Sequence, residues 1–317
     1  MPVYDWLFPG IEPGLGGAMN LSHPQPQEKI VKNRVRNLFV ALALLALSAF
    51  SPQLSTCFAQ GSLTPPPGAP APTMLTLSQI EPRTPVDAAH TPGSGLTVFA
   101  ITNAGSYYLT TNIIVTSSYG IEIFTNNVSI DLKGFNIVGG LYGIVISSST
   151  TNCTVRNGSI SGSSYGAIDS DGSDDVFEDL NIFNTDYGIE CFGDCGVIKD
   201  CSFYRNGNTG IILYGGGYVI ADNNCSGNNI LNAANGASIF IDTSNNHIEN
   251  NYITGSGPAG YGIWINNQTF ITNNIVIRNS VAGGGANNYE INGSLNDVGP
   301  IGSASTLTSP WGNISHP

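Results

Sequence analysis

Seven carboxylates crowd a short stretch of this chain: Asp169, Asp171, Asp174, Asp175, Asp186, Glu190 and Asp194. Acids grouped in this way have two chemistries open to them if the fold brings them together. They can hold Ca²⁺ through hard oxygen ligands, or they can work as a general acid and base on a glycosidic bond. A run of acids is also the ordinary mark of a solvated turn. Phe192, Tyr214, Phe240 and Trp264 stand close to this stretch. Their rings can stack on sugar faces or lie beneath a covering turn or a partner subunit. The Asp169-Ser170-Asp171-Gly172 run is not an EF-hand loop, because its glycine falls too early and no Glu closes it. His90, His247 and His316 lie far apart, with no spacing that suggests a metal site or a triad.

The elements that must position these residues are set by a repeat. Gly120, Gly143, Gly166, Gly188, Gly210, Gly236 and Gly262 recur at spacings of 23, 23, 22, 22, 26 and 26, usually after Tyr and before Ile or Ala. A repeat of this length without helix formers means a solenoid of β-coils, each too small to bury its own apolar face and so stacked on its neighbours. Second strands read as Val128–Ile130, Cys153–Val155, Val197–Ile198, Val219–Ile220, His247–Ile248 and Phe270–Ile271. Third strands read as Phe135–Ile137, Gly158–Ile160, Ser202–Phe203 and Ile275–Ile277. Asp131, Asn157, Asp179, Asp200, Asp222, Asn250 and Asn273 mark the turns, where Asn and Asp tolerate left-handed backbone and can form side-chain ladders. The expected fold is all-β, a right-handed parallel β-helix with three short strands per coil and about seven or eight coils.

The residues at glycine plus one and plus three point inward on this reading. Only Asp169 breaks the resulting apolar stack, so its strand bulges outward or supplies Asp169 with a ligand or hydrogen-bond donors. The outward plus-four row reads Phe192, Tyr214 and Phe240, with Trp264 from the neighbouring row on the next coil. Coils stacked about 4.8 Å apart let side chains of successive coils converge. The candidate ligand-binding face is therefore Asp169, Asp171, Asp186, Glu190, Phe192, Asp194, Tyr214, Phe240 and Trp264. No catalytic residue and no metal-ligand set is assigned, and Ca²⁺ stays open as a cofactor.

The coil motif over residues 106–294 resembles the right-handed β-helix repeat family of the pectate-lyase-like superfamily. The stretches from Gly61 to Pro66 and Ile80 to Pro85, with the closing Asn296 to Pro300 and Pro310 to Ser315, are similar to a group of exported bacterial β-helix proteins. That resemblance implies the fold and no particular reaction. Polygalacturonases of the superfamily carry Asn-Thr-Asp, a paired Asp, Gly-His-Gly and Arg-Ile-Lys. Only Asn184-Thr185-Asp186 has a counterpart here, and Thr209 stands where a partner acid would be useful. Pectate-lyase-type elimination needs a basic side chain, and Lys199 and Arg205 alone lie near the acids in sequence. Two roles follow: a non-catalytic glycan-binding or scaffold protein, and a polysaccharide lyase or hydrolase that uses the acidic cluster.

Composition bounds the partners. The 317 residues carry 39 Gly, 10% charged residues and a net charge of −12. Basic residues after position 59 are confined to Arg83, Lys133, Arg156, Lys199, Arg205 and Arg278, which excludes nucleic acid as a natural partner. Lys29, Lys32, Arg34 and Arg36 precede the apolar run Leu38–Phe50, which is too short to span a bilayer comfortably. The expectation is a signal peptide cleaved after Ala59, with a secreted or cell-surface product and no membrane span in the mature chain. The domain reading is extension and signal over 1–59, Pro-rich linker over 60–73, N-terminal cap over 74–114, β-helix over 115–294 and C-terminal cap over 295–317. Cys153, Cys191 and Cys225 read as small core residues, and Cys191 and Cys195 are spaced for a bridge.

Overall fold

The computed structural model describes residues 82–317, all within the unit Met74–Pro317. The expected signal segment and Pro-rich linker lie outside the described residues. The alternation of buried and outward residues makes every regular element a short strand. Among the described residues there is no α-helix, and no helix long and apolar enough to cross a membrane.

One parallel sheet stacks nine strands in sequence order: Thr97–Ile101, Tyr119–Ile123, Tyr142–Ile146, Gly166–Ser170, Tyr187–Cys191, Thr209–Leu213, Ala237–Ile241, Tyr261–Ile265 and Asn287–Ile291. The second and third strands of each coil join in one 18-stranded parallel sheet. They join because Thr154–Ser161 and Asp175–Phe183 run unbroken through the corner between them, turning at the left-handed Asn157 and Asp179 (φ 59° and 53°). The coils number about nine, somewhat more than the seven or eight expected. The solenoid also starts before residue 115. Thr97–Ile101, Gly105–Tyr108 and Ile113–Val115 pair with the three strands of the next coil, so most of the expected N-terminal cap is itself a coil. Its repeat is hidden because Thr97 and Val98 stand where later coils carry Tyr and Gly. At the other end Asp297–Val298 and Asn313–His316 extend the larger sheet into the expected tail.

The core is a set of columns, one residue per coil. Ile121, Ile144, Ile168, Ile189, Ile211, Ile239 and Ile263 form one, and all are fully buried. Burying an aliphatic side chain of this size contributes roughly 1.5–3 kcal/mol, and only stacking on a neighbour achieves it. Buried asparagines run beside the aliphatic columns. Asn223, Asn251 and Asn279 each donate Nδ2–H and backbone N–H to the Oδ1 of the next in line at 3.0–3.2 Å, ending on Asn313, and Asn246 and Asn274 repeat the pattern, ending on Asn296.

Three sequence expectations change in detail. The left-handed residues include Asn157, Asp179, Asp200, Asp222, Asn250 and Asn273 but not Asp131, where Lys133 takes that role. The buried ladders run one residue after the turn, at Asn223, Asn251 and Asn274, because the left-handed residue turns its own side chain to solvent and its successor inward. Ile275–Ile277 pairs with His247–Glu249 as a second strand, and Phe270–Ile271 lies in the preceding loop. The Cys191–Cys195 bridge is absent. Cys191 faces the core and Cys195 the solvent, and all five cysteines of the described residues are free.

Candidate functional site

The outward face of the nine-stranded sheet places the acids and aromatics in two adjacent columns. One runs Ala100, Glu122, Val145, Asp169, Glu190, Ile212, Phe240, Trp264, Glu290. The other lies just past the strand ends and runs Phe124, Ser147, Asp171, Phe192, Tyr214, Asp242, Asn266, Asn292, each N–H donating to a strand of the preceding coil.

Asp169 does not interrupt the core. The Gly166–Ser170 strand is slipped by one residue against the expected register, so Gly166 pairs with Tyr142 and Tyr187, and Ile168 with Ile144 and Ile189. Ala167 takes the position glycine holds elsewhere, Ser170 turns inward, and Asp169 turns out beside Val145 and Glu190. The slip needs glycine at 166, since a Cβ there would lie 2.8 Å from the Tyr142 ring. A one-residue shift exchanges the two faces of a strand. Inward Ser170 donates at 2.6 Å to Asp175, which also accepts the Cys153 N–H at 2.9 Å. Asp175 is therefore a core residue, in the same role as the ladder asparagines.

The aromatic row is also re-cut. Ser238, not Gly236, follows Gly210 up the stack, because the coil between them carries extra residues in the 227–236 loop. Phe240 therefore belongs with Trp264 in the first column, and Phe192 with Tyr214 in the second. The rings pair accordingly. Phe192 and Tyr214 stack at 4.8 Å and 16°, and Phe240 and Trp264 meet at 4.7 Å and 49°. Between Tyr214 and the Phe240–Trp264 pair lies a groove of about 490 Å³ lined also by Tyr187, Asn208, Asn235, Asp242 and Asn266, with Ile212 as a buried part of its lining. Asn235 comes from the 227–236 loop. Asn266 opens the loop after the Tyr261–Ile265 strand, and its amide donates to Asp242 at 2.7 Å, with Gln268 adding a bond at 3.1 Å. Sequence reading missed these amides, although the rise in glycine spacing from 22 to 26 marks the coils that supply them.

Glu190 and Asp169 sit side by side on adjacent coils, and the strand of Glu190 also brings Tyr187 to the end of the groove. Glu190 is only 4% exposed, and neither its Oε2 nor Asp169 Oδ1 has a hydrogen-bond partner. Burial pushes the Glu190 carboxyl up to about 7, with Asp169 and Asp186 adding to it. Burial likewise lifts Asp169 to about 6, with Asp171 contributing. Asp186 is raised by burial against the opposing bond from Asn208, 3.1 Å away. The tyrosine row beside them runs from coil to coil with tilted rings, Tyr119–Tyr142, Tyr142–Tyr165 and Tyr165–Tyr187 at 6.1, 5.3 and 5.1 Å between centroids. Asp194 does not join the group. It caps a neighbouring turn by accepting the Gly216 N–H at 2.9 Å. Asp174 is an exposed left-handed turn residue. Among the described residues no group of three or more His, Cys, Asp or Glu side chains is arranged to hold a metal ion, so the Ca²⁺ expectation finds no donor set there. Lys199 pairs with Glu178 at 3.1 Å and Arg205 lies over Tyr204, both on the other sheet.

Residues 142–295 match the family model described as a right-handed β-helix region. A crystal structure of an alginate lyase from Paenibacillus sp. str. FPU-7 is similar at 13% identity and a TM-score of 0.43, covering 70% of this chain and 86% of that one. No curated protein matches the sequence.

Proposed function

The chain belongs to the right-handed parallel β-helix family, and we propose that it uses the nine-stranded face of that helix to bind a glycan. The observation that carries this reading is the groove itself. It is concave, its accessible lining is more polar than apolar, it is flanked by the partly exposed rings of Tyr214, Phe240 and Trp264, and it is edged with the amides of Asn208, Asn235 and Asn266. Aromatic faces with a few fixed hydrogen-bonding groups are what a pyranose requires, one face apolar and its rim of hydroxyls polar. From Glu190 to Trp264 the column spans three coil spacings, about 14 Å, which suits a short run of sugar rings. Tyr214 is exposed and Phe240 and Trp264 are partly so, which leaves ring surface free to meet a ligand. Export, read from the N-terminal segment, would place the groove where polysaccharides are found.

The test is binding of the full chain to a panel of neutral, acidic and amino polysaccharides, with Trp264→Ala and Tyr214→Ala alongside. The expected outcome is affinity for at least one polysaccharide, weakened roughly 10-fold by either variant, or about 1.4 kcal/mol, at the upper end of the roughly 0.5–1.5 kcal/mol of an aromatic contact. Parent-like affinity in both variants contradicts the assignment of the groove. A second reading, cleavage of the bound chain, is favoured by the proximity and raised proton affinity of Asp169 and Glu190. New reducing ends or unsaturated products in the same panel, lost in Glu190→Gln, would establish it.

A further inference from the structure

At the Glu190 end of the groove carboxylates outnumber every other charge. Asp169, Glu190 and Asp186 act electrostatically on one another or on the same tyrosines. No described Lys or Arg falls on a strand of the nine-stranded sheet. Arg83 pairs with Asp131, Arg156 and Lys199 with Glu178, and Arg278 with Glu249, all on the larger sheet or its corners. Glu190 is nevertheless enclosed, with Oε2 unpartnered, and so is Oδ1 of Asp169. An ionised carboxylate enclosed without a donor is unfavourable until a cation or a proton meets it. The donor set does not suit a metal ion. What surrounds it is aromatic: the rings of Tyr142, Tyr165 and Tyr187 pass within 5.1–5.3 Å of one another along the same edge. Carboxylates framed by aromatic faces are the chemistry that recognises an organic ammonium group.

Resting on the glycan reading above, we propose that Asp169, Glu190 and Asp186 form a subsite for the protonated amine of an amino sugar, so that the groove takes a cationic glycan. A uronate would bring a carboxylate to three others on a chain of net charge −12, with no base on the sheet to receive it. An N-acetylated amine is neutral and gains nothing from the acids.

The sign of the pH dependence follows. The groups facing Glu190 are Asp169 on the preceding coil, Asp186 before its own strand, and Tyr142, Tyr165, Tyr187 and Tyr214 around it. The tyrosines stay neutral below pH 9, because all four are raised from their ordinary value by burial. Affinity for an ammonium should therefore rise from pH 5 as Asp169 and Glu190 ionise and fall again where the sugar's own amine loses its proton, while affinity for a neutral glycan stays flat.

The experiment is titration calorimetry of the full chain, in salt near physiological strength, with β-1,4-linked glucosamine hexamer, its N-acetylated counterpart and a galacturonate hexamer. The glucosamine hexamer is expected to bind at least 10-fold more tightly than the other two at pH 6.5. Glu190→Gln and Asp169→Asn should each lose about 10-fold for it, and with it the preference over the N-acetylated hexamer, with parent-like circular dichroism. Equal or tighter binding of the N-acetylated or galacturonate hexamer, or full affinity in both amide variants, overturns the proposal. If the glucosamine hexamer shows no preference while Trp264→Ala weakens neutral glycan binding, the amine subsite falls and the groove stands. If no member of the wider panel binds, both fall. Should Glu190→Gln misfold, Asp169→Asn and the parent's preference among the three hexamers decide.

Discussion

Asp175 and Glu190 show how one residue type takes opposite roles a few positions apart. Asp175 is fully enclosed but holds two donors, Ser170 and the Cys153 backbone, and so is satisfied. Glu190 is nearly as enclosed and leaves Oε2 unpartnered. Sequence alone could not separate them, because both lie in one acidic run and nothing in it shows which carboxylate finds donors. The difference is measurable through pH. The folded state holds the Glu190 proton to about pH 7, above its ordinary range, so its contribution to stability is fully present below about pH 4.5 and is lost as pH rises through 7. Glu190→Gln removes that loss. Its melting temperature relative to the parent should climb by about 2–4 °C between pH 4.5 and pH 8, on the order of 1 kcal/mol for a domain of this size. A difference that does not change with pH would show that Glu190 is an ordinary solvated carboxylate.

The coil was the most legible element. Recurring glycines, an aliphatic pair on each first strand and turn-forming Asn or Asp are enough to identify stacked short strands, and the structure has them. Register was less legible, because a glycine marks a coil without fixing which residue pairs above it. Gly166 and Gly236 look like their counterparts and sit out of register with them. The resulting offsets, one residue at Asp169 and two at Phe240, turned the expected core defect and the single aromatic row into an outward acid and two ring pairs. The ladders were half legible, since the turn residues advertise the corner while the buried asparagines behind them carry the bonds. Asn251 gives its Nδ2 to Asn279, Glu249 O and Ile220 O, and its Oδ1 accepts from Asn223. Replacing it with Ala strands donors and acceptors in two neighbouring coils, and chemical denaturation should show a loss of about 2–4 kcal/mol. Asn250→Ala, at the exposed left-handed position beside it, should lose only about 1 kcal/mol. Equal losses would mean that the ladder contributes no more than the turn.

At the scale of the whole molecule, the β-helix repeats a charge-poor coil and departs from the repeat in one region. The acids gather where coils are shortest, about 21–22 residues between register partners from Ile168 through Ile189 to Ile211, and the groove opens where the next coil lengthens to 28, from Ile211 to Ile239. Composition could not place a groove whose walls come from loops with no repeat of their own. Ligand is expected to meet the protein on this sheet and not on Tyr204 and Tyr252 of the larger sheet or Trp311 near residue 317, which are exposed aromatics elsewhere. Hydroxyl-radical footprinting of the full chain, with and without saturating glucosamine hexamer and in parallel its N-acetylated counterpart, tests this most directly. The account predicts that at least one hexamer protects Tyr214, Phe240 and Trp264 several-fold and leaves Tyr204, Tyr252 and Trp311 unchanged. Protection of Tyr204, Tyr252 or Trp311, with Tyr214, Phe240 and Trp264 still fully reactive, would contradict it.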